Sequence, residues 1–164
     1  MPQLLLRGGA IGDFKGVLFD KDGTLSNSEV YLIEIAQLRI KEALKFFRQN
    51  HLLDQSNKQK VNKLFNDAYG LTPSGLDPNG SIAIASKQDN LISTATLLCL
   101  LGKDWPNALE ISQEIFSRAE EKMNAQHSKN IHNTLLPGVK ELLDQLNAAK
   151  VECALISNDS ADGI

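Results

Sequence analysis

The sequence predicts an α/β protein interrupted by a long helical segment, and three observations carry that prediction. Val17-Leu18-Phe19 is an apolar, β-favouring run that enters Asp20-Lys21-Asp22-Gly23-Thr24 without a break. The next hundred or so residues, roughly, carry helical rather than strand periodicity. Then Pro137-Gly138 opens a short amphipathic segment followed by a second apolar strand, Val151 to Ile156, which restores the strand–helix alternation.

Each element has its own local reason. Leu4 to Arg7 is a short apolar run, Gly8 to Asp13 reads as a loop, and the strand from Phe14 to Asp20 follows, so a hairpin is expected to lead into the central strand. The glycines lack G-x-G-x-x-G spacing and no helix follows them, which excludes a dinucleotide fingerprint. Gly23 ends the strand, which is expected to be buried. Ser26 with Glu29 has capping-box spacing, and a helix to about Gln49 is expected, with Ile33, Ala36, Ile40, Ala43, Leu44 and Phe47 on one stripe. Lys41, Lys45 and Arg48 fall off that stripe and read as a solvated face. A second helix covers Asn57 to Tyr69 through Val61, Leu64, Phe65 and Ala68. The Gly- and Pro-rich stretch from Gly70 to Gly80 is a loop. Ser86 with Asp89 starts a third helix reaching Gly102, and Trp105-Pro106 opens a fourth from Asn107 to Ala125, with Trp105 and Phe116 expected in its core. Pro137 then leads a helix with Val139, Leu142, Leu143 and Leu146 on its apolar face.

The chemistry concentrates at the first strand's end. Open α/β sheets bind ligands at the carboxyl ends of their strands. Asp20 falls there, and Asp22 faces the same space. Two carboxylates in one crevice repel unless a cation or a proton separates them. A hard divalent metal, with one carboxylate attacking and the other moving a proton, satisfies that requirement. A calcium loop does not fit, since its sixth and twelfth positions would hold Leu25 and Tyr31 instead of Gly and Glu. Lys21 is expected to point away from the two aspartates along an extended chain, toward the surface.

The stretch from Val17 to Leu25 resembles the first signature of the haloacid dehalogenase superfamily, D-x-D-x-T after an apolar strand. The resemblance implies Asp20 as nucleophile and Asp22 as general acid/base, with Thr24 supporting the turn and orienting Asp22. An alkoxide leaving phosphorus needs the proton that a second aspartate supplies, so the sequence looks like the phosphatase branch. Val151 to Ile156 ending in Ser157-Asn158 resembles the second signature, in which the hydroxyl and a following backbone N–H hold the phosphoryl group. The implied fold is an α/β Rossmannoid core with an inserted helical cap, as in phosphoglycolate phosphatase-like relatives: core 1–25, cap 26–131, core 132–164, with hinges near 25–28 and 128–134. The implied activity is hydrolysis of a small phosphate monoester through an aspartyl-phosphate, with Mg²⁺ held by Asp20 and the Asp22 carbonyl and a small phosphorylated metabolite as partner. A phosphomutase using the same aspartate is the alternative, and an inactive binding fragment is a second. The lysine and the acidic pair of the third and fourth signatures are expected beyond the second strand. The 164 residues are therefore expected to be a truncated form that binds Mg²⁺ weakly, turns over slowly and self-associates through an open sheet edge.

Composition is ordinary for a soluble globular protein: 42% hydrophobic and 23% charged residues, and a formal net charge of -3 that points to neither nucleic acid nor an anionic membrane. The segment from Met1 to Arg7 is too short for a signal peptide, and no stretch suits a bilayer span, so the cytoplasm is the expectation. Cys99 and Cys153 are expected as buried free thiols. His51, His127 and His132 lack zinc-ligand spacing, and Lys87 reads as a solvated helix-end residue.

Overall fold

The computed structural model describes residues 2–50, 55–127 and 135–157. The chain is α/β and divides into two compact units, one of Met1–Ser28 with Asn133–Ile164 and one of Glu29–His132.

The first unit begins with strands β1 (Gln3–Leu6) and β2 (Gly9–Asp13), paired antiparallel with a register shift at Leu4/Leu5. Arg7 and Gly8, with φ of 52° and 84°, form a two-residue type I′ turn whose twist matches that of the flanking strands. The loop expected over Gly8 to Asp13 is thus mostly strand: the turn needs only two residues, so Gly9 onward is free to pair. Strand β3 (Gly16–Asp20) lies parallel to β6 (Glu152–Ile156), with Gly16 opposite Glu152 and Asp20 opposite Ile156. Helix α6 (Val139–Ala148) precedes β6 in sequence and packs against it. Gly138, not Pro137, stands at its cap, in the left-handed region at φ 85°. Val139 and Leu146 are buried, whereas Leu142 is exposed.

The expectation that the catalytic strand is buried is not met. Leu18 is 67% exposed, and Leu155 and Ile156 are exposed on the partner strand. Parallel strands are buried when helices or further strands cover both faces and edges. Among the described residues of this unit the parallel sheet has two strands, and α6 packs against β6. Cys153, on β6, is exposed for the same reason, against the expectation of a buried thiol, while Cys99 is half-buried.

The second unit is helical. Helix α1 (Glu29–Gln49) packs against α2 (Gln55–Tyr69) and α5 (Trp105–His127), and α4 (Lys87–Leu100) packs against α2 and α5. Ala36, Ile40, Ala43 and Phe47 of the expected α1 stripe are buried among Val61, Phe65, Tyr69, Leu98 and Phe116. Two neighbours explain why α1 buries a second stripe that periodicity alone did not separate: Ile35 and Leu38 form a cluster with Ala119 and Met123 of α5. Arg39 and Glu42 are buried as well. The Arg39 guanidinium lies 3.8 Å over the Phe116 ring, and Lys122 donates to Glu42 Oε1. Burial lowers the Arg39 pKa, opposed by the fields of Tyr69, Glu120 and Tyr31.

Between α2 and α4 the expected loop holds a small hairpin, β4 (Leu71–Thr72) with β5 (Gly75–Leu76), and the one-turn α3 (Ser81–Ile84). Gly70, at φ 77°, ends α2, and a Cβ there would come within 2.5 Å of the Gly80 Cα. The Ser86–Asp89 capping box forms as expected: the Asp89 N–H donates to Ser86 Oγ at 3.1 Å. Phe116 is core, but Trp105, the first residue of α5, is 46% exposed. Asp104 caps that helix through the Asn107 N–H at 3.1 Å, so the helix starts at Trp105, two residues before the expected Asn107. Lys87 pairs with Glu120 at 2.6 Å.

Candidate active site

The site is built where β3 and β6 end together. Asp20 is the last residue of β3, opposite Ile156, and Ser157 follows Ile156 directly. The shared register therefore brings Asp20 and Ser157 to the carboxyl ends of adjacent parallel strands, which lie roughly 4.8 Å apart in such a pair. Asn158 lies outside the described residues, as do His51, His132 and the expected hinge segment 128–134.

The chain then turns sharply. The Lys21 carbonyl accepts the backbone N–H groups of Leu25 at 2.9 Å and Ser26 at 3.0 Å, and the Gly23 N–H donates to the Ser26 carbonyl at 2.9 Å. Gly23 takes φ 79°, a conformation that Gly adopts without the penalty a Cβ imposes. This closed turn presents Thr24 back toward the strand end, where its hydroxyl donates to Asp20 Oδ2 at 3.0 Å. The sequence reading assigned Thr24 to Asp22. The turn carries it to Asp20 instead, because the five residues from Asp20 to Thr24 fold back on themselves.

Asp22 is held by other groups. Ser28 Oγ donates to Asp22 Oδ1, and Lys21 Nζ lies 3.5 Å from Asp22 Oδ2. The Lys21 side chain is only 13% exposed, which overturns its expected surface role. Strict strand alternation would point it away from Asp22, but the chain leaves the strand at Asp20, so alternation no longer applies. Ser26 is likewise not the helix cap that the Ser26–Glu29 spacing suggested. Its hydroxyl meets Ser28 Oγ at 2.8 Å and the Lys21 carbonyl at 3.3 Å, and α1 starts only at Glu29, whose carboxylate accepts from the Leu76 N–H. Ser28 is the site residue that the sequence reading passed over. Its signal was slight, a second serine two residues after Ser26.

Asp20 and Asp22 offer hard oxygen donors, the kind that Mg²⁺ takes from one or two carboxylates while keeping water and substrate phosphate for the rest of its shell. Ser28 and Lys21 engage the two Asp22 carboxylate oxygens, so the Asp20 carboxylate and the Asp22 backbone carbonyl are the better-suited donors, and the pair fits such an ion. Among the described residues no group of three or more His, Cys, Asp or Glu gathers as a preformed metal cluster. Two clefts of the helical unit, about 480 and 440 Å³, are lined by residues such as Lys103, Glu110 and Glu114 and by Asn62, Lys63 and Pro73, and neither includes an aspartate of the site.

A family model of haloacid dehalogenase-like hydrolases matches residues 14–163. The chain belongs to the haloacid dehalogenase-like hydrolases. The match begins just before β3 and runs past Ser157, so it takes in both strands of the site and the helical unit between them. No curated protein and no solved structure gives a match. Among the described residues no helix is long and apolar enough to cross a membrane.

Proposed function

We propose that this hydrolase is a Mg²⁺-dependent phosphatase of the phosphoglycolate phosphatase-like branch, acting on a small phosphate monoester. The observation that carries the reading is the strand register that sets Asp20 beside Ser157, with Thr24 on one oxygen of Asp20. Thr24 engages Oδ2, so Oδ1 is the oxygen that attacks phosphorus in line and forms the aspartyl-phosphate. Asp22 protonates the departing alkoxide and then takes a proton from the water that opens the intermediate. The Ser157 hydroxyl, with the following backbone, holds the phosphoryl oxygens. Asp20 and the Asp22 carbonyl would hold the Mg²⁺, whose charge offsets the repulsion between the nucleophile and the phosphoryl group. On this reading the helical unit is the cap that selects the leaving group and excludes water. The free thiols of Cys99 and Cys153 accord with a reducing compartment, and we propose the cytoplasm.

The test is hydrolysis of p-nitrophenyl phosphate against Mg²⁺ concentration, by the wild type, Asp20→Asn and Asp22→Asn. Metal-dependent turnover lost in Asp20→Asn supports the reading. Wild-type rates in Asp20→Asn remove it.

A further inference from the structure

We propose that Ser28, backed by Ser26, is the positioning residue that fixes the Asp22 carboxylate for proton transfer; this rests on the reading of Asp22 as the general acid/base. Three observations carry it. Ser28 Oγ donates to Asp22 Oδ1, Ser26 Oγ stands 2.8 Å from Ser28 Oγ, and Lys21 Nζ stands 3.5 Å from Asp22 Oδ2. Both serines are almost completely buried, at 5% and 4% exposure, although they lie in a connecting segment that would ordinarily be solvated.

Proton counting gives the chain its direction. A serine hydroxyl donates one hydrogen and accepts through two lone pairs. Ser28 spends its hydrogen on Asp22, so Ser26 is the donor between the two serines. The alternative acceptor for Ser26, the Lys21 carbonyl, is farther away at 3.3 Å and already takes the N–H groups of Leu25 and Ser26. The order is therefore Ser26 to Ser28 to Asp22. Donation into a hydroxyl polarises it, which strengthens the bond that it makes onward. With Ser28 on one oxygen and Lys21 near the other, the carboxylate is fixed at both ends. Water in place of either group would allow it to rotate.

A carboxylate that rotates still carries its charge but delivers its proton poorly, because general acid catalysis requires hydrogen-bond reach to the leaving oxygen. The consequence depends on the leaving group. p-Nitrophenolate departs with little protonation, whereas an alkoxide requires it. The ratio kcat/KM extends only to the first irreversible step, alcohol departure, and so isolates this effect from hydrolysis of the intermediate.

The experiment compares kcat/KM for p-nitrophenyl phosphate and glycerol 2-phosphate, with Mg²⁺ present, in wild type, Ser28→Ala, Ser28→Thr, Ser26→Ala and Asp22→Asn. Ser28→Ala is expected to lose tenfold or more, on the order of a general-acid contribution, on the alkyl ester and to change little on the aryl ester. Ser28→Thr, which keeps the hydroxyl, restores the loss, and Ser26→Ala shows a smaller loss of the same pattern. Equal losses on both esters in Ser28→Ala, or no rescue by threonine, overturn the proposal. If Asp22→Asn shows the leaving-group pattern and Ser28→Ala does not, the proposal fails while the reading of Asp22 stands. If Asp22→Asn hydrolyses the alkyl ester normally, that reading itself fails. Crystal structures of the wild type and Ser28→Ala decide the matter independently of turnover: the Asp22 carboxylate should leave its wild-type orientation or occupy several, and an unchanged single orientation overturns the proposal.

Discussion

Tyr69 and Thr94 make the sharpest energetic prediction in the helical unit. Both are fully buried, and their hydroxyl oxygens are 2.7 Å apart. Thr94 Oγ1 also donates to the Asn90 carbonyl at 2.8 Å, so its single hydrogen is committed and Tyr69 must be the donor between them. That direction makes the two deletions unequal. Tyr69→Phe removes the donor and leaves an oxygen that still keeps one good bond, at a cost of about 1 kcal/mol. Thr94→Val leaves a buried phenolic O–H with no acceptor and carries its desolvation penalty, about 2–3 kcal/mol. The double variant has neither group and is expected to cost about 1 kcal/mol, because removing both partners is nearly neutral. The coupling between the sites is then about 2–3 kcal/mol, large for two side chains that exchange one hydrogen bond. Urea unfolding followed by the fluorescence of Trp105, the sole tryptophan and a residue of the same unit, measures each value. Additive losses, or a larger loss in Tyr69→Phe than in Thr94→Val, would refute the assigned direction and the burial argument with it.

Other outcomes follow from the same contacts. Burial pushes the Tyr69 pKa up, against the lowering effects of Thr94 and Arg39, so its contribution is intact below the unfolded tyrosine pKa and fades as pH rises toward the folded value; Tyr69→Phe should flatten the alkaline loss of stability in pH-dependent melts. The Asp104 pKa is lowered, first by the side-chain hydrogen bond from Asn107 and then by its backbone N–H. Its contribution is present above the unfolded aspartate pKa and is lost as pH falls through the folded one, so Asp104→Asn should remove part of the acid dependence of the melting temperature. Ser86→Ala opens the capping box of α4 and should lower stability by about 1 kcal/mol, measurable by urea titration, while Ser86→Asp keeps most of it.

Helices and their apolar faces were legible because a 3.6-residue period needs only local sequence: the stripe of α1 and the Ser86–Asp89 box stand where periodicity and capping rules put them. Features that depend on a neighbour were not. The second buried stripe of α1, with Arg39 against Phe116, exists because α5 packs there, and no local pattern announces a packing partner. The exposure of Leu18 and Cys153 likewise reflects what covers a sheet, not what forms its strands. At the candidate site, the two aspartates and Ser157 were legible as strand-end residues. The partners of those aspartates were not, because a five-residue closed turn reassigns Thr24 to Asp20 and brings Lys21 and Ser28 to Asp22. Strand alternation has no authority over a chain once it has left the strand.

The central claim is that Asp20 becomes phosphorylated. The direct measurement is to mix the protein with p-nitrophenyl phosphate and Mg²⁺, quench in acid, reduce with borohydride and sequence the peptides by mass spectrometry. Borohydride converts an aspartyl-phosphate to homoserine, which marks the phosphorylated residue. Homoserine at position 20, absent when the ester is omitted and absent in Asp20→Asn, is the predicted result. Homoserine at another aspartate, or hydrolysis at wild-type rates by Asp20→Asn with no mark at position 20, would contradict it.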